Sequence, residues 1–591
     1  MDAGSYSWQR RTSADGDSLY TRPLGLTELG FYWDAQFNGT ADIVTSDTVK
    51  VVGRTANAED IFSRKNVHRA WTALKRRYPL LGARIVSDAR KEQVDFEVSQ
   101  QIWDSEKPGF SGVEDPTFVT IGSAAEAYEF GNALNNGPRQ LSDDLLARLY
   151  ILRQTDEPGV YHVFFHLAHL INDGMSNAAL RRIILDLLAS GDIESIEAGW
   201  DLRLEERLDM VRATDSLDPN WRLSAPRRRW RRVIGRVMAE RRQNALKGGH
   251  TLPRNVTPST AATPAKSCET RISLPYELSS RIISTCRQNR ITFGHAHPVL
   301  GQLALSRVLH RLRGQGKISD AEWETRRRQP MHNGGPANLR PFLDREWVAR
   351  GGDSEAMIAI SFYWNTLPFM PCAADGDANP SFDKLLSRER FFYRCRMMKA
   401  QSDGFFRHPL FLEIASARLP GRIERARSGT LQWMAKEGTL TKELEEVHRN
   451  VFQIQNDESK RDRGVFSDAL TITHGGSPIG NVDQITPLEY PLPRIHPLSS
   501  RQRVPKIQPG APATDESAVI LKVLDARTLL HCRPTELYLG AATSRKILHL
   551  NVFWDGNVYD TGLVHEWLDE VKNAAVWYLG GSQAGKELAK L

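Results

Sequence analysis

The stretch Tyr161-His162-Val163-Phe164-Phe165-His166-Leu167-Ala168-His169-Leu170-Ile171-Asn172-Asp173-Gly174-Met175-Ser176-Asn177 decides the reading of this chain. Val160 to Leu167 is short and apolar and reads as a strand. A tight turn holding Asp173 and Gly174 follows, and Asn177 to Leu188 has the spacing of an amphipathic helix. A histidine at a strand end is a rigidly mounted base, because imidazole titrates near neutral pH. That makes His169 the candidate catalytic residue. Asp173, four residues on, is placed to anchor the turn through backbone or arginine contacts, and Gly174 permits a positive φ or a close approach of another segment. A core histidine beside an Asx turn would show the same His-x-x-x-Asp-Gly pattern, so these residues alone leave both readings open. His166 and His169 lie three apart, which on a strand sends them to opposite faces, and no further ligands follow at metal-site spacing. No metal is expected.

Outward from this stretch, helix and strand patterns alternate. Asp60 to Tyr78 carries Ile61, Phe62, Val67, Ala70, Trp71 and Leu74 as a helical stripe, and Pro79 ends it. Leu80 to Val86 then reads as a short strand. Leu145 to Leu152 and Val160 to Leu167 read as paired strands, Phe293 to Leu312 as a long helix and Met357 to Pro368 as another strand. Gly334-Gly335 and Gly475-Gly476 lack any phosphate-binding glycine pattern and read as turns. Helix and strand both recur throughout, so the fold class reads as mixed α/β or α+β.

The 591 residues are 40% hydrophobic and 25% charged, which excludes a disordered or low-complexity chain. Five scattered cysteines, with no C-x-x-C pair, indicate a reducing compartment, and a cytoplasmic location is expected. Met1 to Tyr20 is polar, and no run approaches the roughly 20 apolar residues of a spanning helix. The balance of 78 Lys and Arg against 71 Asp and Glu gives +7. Much of that excess sits between Arg227 and Lys247, where nine cations face Glu240 alone. Aromatics do not interleave with them in a stacking pattern, so the segment reads as a solvated helix and nucleic acid is not an expected partner. A Thr, Pro, Ala and Ser-rich run from Pro253 to Lys266 reads as a linker. The expected organisation is a first half over 1–216, a basic helix and crossover over 217–267, and a second half over 268–591. A proline-rich loop from Pro491 to Asp515 interrupts the second half.

Four segments in order resemble the chloramphenicol-acetyltransferase-like superfamily, which includes plant BAHD acyltransferases, condensation domains of peptide synthetases and fungal O-acetyltransferases. They are Val67-His68-Arg69-Ala70-Trp71 through Tyr78-Pro79-Leu80-Leu81-Gly82-Ala83-Arg84, the His169-x-x-x-Asp173-Gly174 motif, Asn338-Leu339-Arg340-Pro341 and Asn365-Thr366-Leu367-Pro368. His549 to Trp554 with Asp555-Gly556 is similar to the family's last strand. Ala168 stands where condensation domains usually carry a second histidine, and the plant D-F-G-W-G motif is absent. The pattern is nearest to fungal O-acetyltransferases such as trichothecene 15-O-acetyltransferases.

The resemblance implies two related halves with a tunnel between them and His169 at its centre. It implies acetyl-CoA or another acyl-CoA as co-substrate, no permanently bound cofactor, and a small-molecule alcohol as acceptor, in a monomer. His169 would be the general base, and Asp173 and Gly174 would hold the active-site turn. Asn338, Arg340 and Asn365 would line the tunnel for CoA or substrate.

Overall fold

Every residue from Val160 to Leu167 is buried, and this strand, β8, lies inside a six-stranded sheet rather than at its edge. The computed structural model describes residues 6–53, 57–200, 203–447, 470–500 and 519–581. In the first large sheet the strand order is β13 (Glu489–Tyr490), β14 (Leu521–Leu530), β3 (Ile43–Val51), β8, β7 (Ala147–Gln154) and β6 (Thr117–Ile121). All its pairings are antiparallel except that of β6 with β7. The second large sheet runs β11 (Ile360–Leu367), β10 (Met331–Asn338), β12 (Ile472–Asn481), β15 (Leu537–Ser544), β16 (Ile547–Asp555) and β9 (Ser267–Ser273). A smaller sheet holds β1 (Gln9–Thr12), β2 (Ser18–Pro23), β5 (Val94–Ser99) and β4 (Arg84–Ser87).

Each large sheet has its own core. In the first, helix Arg64–Arg77 buries Val67, Ala70, Trp71 and Leu74 at helical spacing, and helix Gly174–Ser190 buries Leu180, Ile184 and Leu187 beside β8. In the second, helices Phe293–Gly314 and Thr561–Leu579 pack with Leu539, Leu550 and Val552 of the sheet. Burying an aliphatic side chain of this kind stabilises by roughly 1.5–3 kcal/mol, and the first core also takes in Leu339, Met357, Ile358 and Ile360 at the ends of β10 and β11, where the two sheets meet.

The halves are not divided as expected at residue 268. β13 and β14 come from late in the chain yet join the first sheet, Leu521 pairing with Val51 and Leu530 with Ile43. A run such as Leu521–Leu530 satisfies the strand pattern in either sheet, and only the antiparallel match to β3 selects the first. Leu80 and Leu81 do not begin a strand. Pro79–Leu81 forms a short 3₁₀ turn, with the Leu81 N–H donating to Tyr78 O at 2.9 Å, and β4 starts at Arg84.

The glycine pairs are not turns either. Gly334 and Gly475 face each other across the parallel β10–β12 pairing. A Cβ on Gly335 would stand 2.1 Å from Gly476 O, so the two backbones approach more closely than any side chain allows.

The basic segment is a helix, Ala225–Asn244, with Trp230, Val233 and Val237 exposed. It is pinned to helix Phe411–Ser416 by Arg231, which bonds the Glu413 carboxylate and Pro409 O. The loop expected over Pro491 to Asp515 lies outside the described residues beyond 500. All five cysteines are free. Among the described residues no helix is long and apolar enough to cross a membrane.

Candidate active site

β8 ends at Leu167, and His169 opens a 3₁₀ turn, His169–Ile171, that leads into helix Gly174–Ser190. The turn is closed by its own side chains. Asn172 Nδ2 donates to Ala168 O at 2.9 Å, and Asn177 Nδ2 donates to Asn172 Oδ1 at 2.8 Å. Asp173 is the helix N-cap, its Oδ1 accepting from the N–H groups of Met175 and Ser176 at 3.0 Å each. An N-cap carboxylate meets the orphan donors of the first turn and the positive end of the helix.

The imidazole of His169 is fixed on two sides. Its Nδ1 lies 2.8 Å from Asn172 O. A carbonyl only accepts, so Nδ1 carries the proton and Nε2 keeps its lone pair. The ring stacks on Phe31 of helix Leu26–Gln36, with centroids 4.1 Å apart. Burial pushes the His169 pKa down to about 4, and nearby Arg533 adds to the push. The imidazole is therefore neutral at physiological pH, the state in which Nε2 accepts a proton. The main-chain N–H of His169 interacts with Asp42, whose carboxylate takes the Nε of Arg139 at 2.8 Å.

Asp173 serves the junction between the halves. Its Oδ2 accepts from Arg340 Nη1 at 2.6 Å and from the Ala359 N–H at 2.8 Å, and both side chains are buried. Arg340 Nη2 donates to Ser176 Oγ at 3.0 Å and Met357 O at 2.9 Å. Burial alone would raise the Asp173 pKa, but Arg340 and the donated N–H groups hold it below the usual carboxylate range. A buried ion pair of this geometry is costly to break from one side, because the other charge is left alone.

Of the tunnel candidates, Arg340 reaches the turn, and its terminal nitrogens are spent on Asp173, Ser176 and main-chain carbonyls. Asn338 is exposed, its Oδ1 accepting from the Arg340 N–H at 3.0 Å. Asn365 is buried and its Nδ2 donates to Ser402 Oγ at 3.2 Å. Among the described residues neither side chain hydrogen-bonds His169. Gly174 has open space where a Cβ would stand and starts the helix behind the Asp173 cap.

The side chains that do surround His169 were not singled out in the sequence. Phe31 and Asp34 lie on helix Leu26–Gln36, Arg422 on helix Leu419–Lys436, and Arg533 beyond β14. Asp34 Oδ2 accepts from Arg422 Nη2 at 2.6 Å and from Arg533 Nη2 at 2.7 Å. Burial would raise the Asp34 pKa, but Arg533 and Arg422 outweigh it and hold the group ionised. Phe31 sits in the aromatic run Phe31-Tyr32-Trp33, which reads as core. Only contact across the fold marks it as the wall of the site. Among the described residues no group of three or more His, Cys, Asp or Glu is placed to hold a metal ion.

No protein-family model and no curated protein matches the chain. Solved structures do. Trichothecene 15-O-acetyltransferase from Fusarium sporotrichioides superimposes with a TM-score of 0.63 at 12% identity, covering 98% of this chain and 99% of that one. The first condensation domain of the calcium-dependent antibiotic synthetase gives 0.52 at 10% identity, covering 95% and 96%. The condensation domain of Monacolin K polyketide synthase MokA gives 0.51 at 10%, covering 94% and 97%. With two sheets, two cores and the His169 turn tied to the second half, the chain has the two-halved fold of the chloramphenicol-acetyltransferase-like and condensation proteins.

Proposed function

We propose that this protein is an O-acyltransferase that moves an acyl group, acetyl in the simplest case, from acyl-CoA to a hydroxyl of a hydrophobic small molecule. The observation that carries the reading is the His169 Nδ1 contact with Asn172 O, which leaves Nε2 as a neutral base beside the junction of the halves. An alcohol is a weak nucleophile at neutral pH. Nε2 takes the hydroxyl proton as the oxygen attacks the thioester carbonyl carbon. The tetrahedral oxyanion collapses, the C–S bond breaks, and the imidazolium returns its proton to the CoA thiolate. General-base help of this kind is worth about 10²–10⁴-fold. No covalent enzyme intermediate is needed. The full-length likeness to a trichothecene acetyltransferase supports a hydroxylated, terpenoid-like acceptor.

A second reading is condensation from a carrier-bound thioester, and the condensation domains of the same fold favour it. One experiment separates the two. Purified protein is given acetyl-CoA with a panel of hydroxylated sesquiterpenoids, and free thiol is followed, with His169→Ala alongside. Acceptor-dependent CoA release that disappears in the variant supports the acyl-CoA reading. Turnover only with carrier-loaded acyl groups selects the second, and no turnover with either donor refutes both.

A further inference from the structure

Helix Leu419–Lys436 lies along helix Leu26–Gln36 and brings a file of arginines to the wall of the site. Arg418, Arg422 and Arg425, spaced i, i+4 and i+7, share one face of it. The Arg422 guanidinium lies 4.0 Å over the Phe31 ring, whose stacking partner is His169, and 5.6 Å from Phe362. Arg418 lies 3.7 Å over Trp364, two residues along the same strand. Phe362 and Trp364 are only partly buried, so β11 presents aromatic rings capped by guanidinium groups beside the base.

The charges in this file are not balanced. Asp34 Oδ2 serves both Arg422 and Arg533, while Glu536 adds its field only at Arg533. Among the described residues no carboxylate pairs with Arg418 or Arg425, and Arg418 bonds only the uncharged Gln243 amide. Arg422 Nη1 is buried with no acceptor among the described residues, lodged where only a glycine, Gly30, leaves space. Burial pushes both Arg422 and Arg418 down to about 10. Arg422 shares its one carboxylate with Arg533, and Arg418 is half-buried with no carboxylate beside it among the described residues; planar guanidinium forks are the usual receptors for carboxylates.

We propose that Arg422 and Arg418 form a receptor for a substrate carboxylate carried a few bonds from the reacting centre, either on the acceptor or at the far end of the acyl group. This rests on the reading of His169 as the base. The phosphates of CoA are not the group in question. A whole pantetheine arm separates them from the thioester, whereas one phenyl ring separates Arg422 from the imidazole.

The test is equilibrium binding by calorimetry, using the full chain with His169→Ala so that no turnover intervenes. Two pairs of probes are compared: malonyl-CoA with acetyl-CoA, and 3-hydroxydecanoate with its methyl ester. One acid is expected to bind about tenfold tighter than its neutral partner. Arg418→Gln with Arg422→Gln should remove that margin, so that acid and neutral probe bind alike. Preference in the first pair places the carboxylate on the acyl group, and preference in the second places it on the acceptor. Arg418→Gln alone, at a part-exposed site, should cost about threefold of the margin and keeps the test valid if the double variant is unstable. Equal binding within both pairs, or a margin that survives both substitutions, would overturn the proposal. A clear margin here, together with no CoA release by the wild-type protein on any acceptor, would sink the acyltransfer reading and leave the carboxylate receptor standing.

Discussion

The His169 imidazole and the Asp173 carboxylate, four residues apart on one turn, make no hydrogen bond to each other and serve different partners. His169 bonds Asn172 O within the turn, while Asp173 bonds Arg340 and the Ala359 N–H across to the second half. On the proposed reading, the motif joins the base to a residue that holds the turn. Asp173 fixes where the second half meets the turn, and through the turn it fixes the imidazole.

Asp173→Asn follows directly. The amide offers N–H where Arg340 Nη1 and the Ala359 N–H both need an acceptor, and Arg340 becomes a buried cation without its partner. Removing one side of such a pair costs about 3–5 kcal/mol. Urea unfolding should show a loss of that order together with reduced turnover, while the pH at which activity falls should stay where it is in wild type. A variant that unfolds at the wild-type urea concentration and loses only rate would give Asp173 a direct chemical role instead.

His169→Ala should leave the fold intact, because the turn keeps the Asn172–Ala168 and Asn172–Asn177 bonds and the Asp173 cap. Its turnover should fall by about 10²–10⁴-fold, the range of general-base catalysis. The measurement is single-turnover CoA release beside a thermal melt. A near-normal rate in a folded variant removes His169 as the base.

The pH dependence carries two signs to check. His169 sits at about 4 in the fold, well below its ordinary 6.5, so the working neutral form persists as pH falls. Rate at saturating substrate should hold through pH 6 and drop only towards pH 4–5. Stability behaves differently. Burial likewise pushes His166, His250 and His297 down to about 3, and His474 and His531 to about 4. Below about pH 6.5 the unfolded chain takes up protons that the folded chain refuses, so stability is full above that pH and is lost as pH falls towards 4. Chemical denaturation from pH 7.5 to 4.5 should show midpoints falling steadily below pH 6.5. A flat profile across that range would mean these histidines are protonated in the folded state.

The parts of this architecture that were legible in the sequence are those written locally. β8 is Val160–Leu167, as its apolar run indicates, and helix Phe293–Gly314 matches its periodicity. The His169 turn was legible because an apolar strand, a turn and an amphipathic helix leave few ways to place the histidine. What was not legible depends on partners distant in the chain. Arg340 looks like a tunnel residue until Asp173 is seen to neutralise it. Phe31, Asp34, Arg422 and Arg533 meet only after four separate segments have folded, and each alone reads as core or as solvated surface. The assignment of β14 to the first sheet has the same cause, since register is set by the match between strands and not within either one.

The glycine pairs show how such a long-range fact becomes testable. Turn glycines in open loops tolerate alanine when their φ is negative, whereas Gly335 is held against a neighbouring backbone. A Cβ there would meet Gly476 O at 2.1 Å and the Tyr363 ring at 3.5 Å, and the first of these is a main-chain atom fixed by sheet pairing. The β10–β12 contact would have to open, at a cost on the scale of core overpacking, about 1–3 kcal/mol or more. Gly376 offers the control of opposite kind, with positive φ but open space around it. Gly335→Ala should therefore lower the unfolding midpoint in urea with little change in slope. Gly376→Ala should cost only the backbone strain of its left-handed conformation, about 1–2 kcal/mol. Gly335→Ala with a wild-type midpoint would mean that β10 and β12 are not paired in this register, and with it the path from β11 to the His169 turn would have to be redrawn.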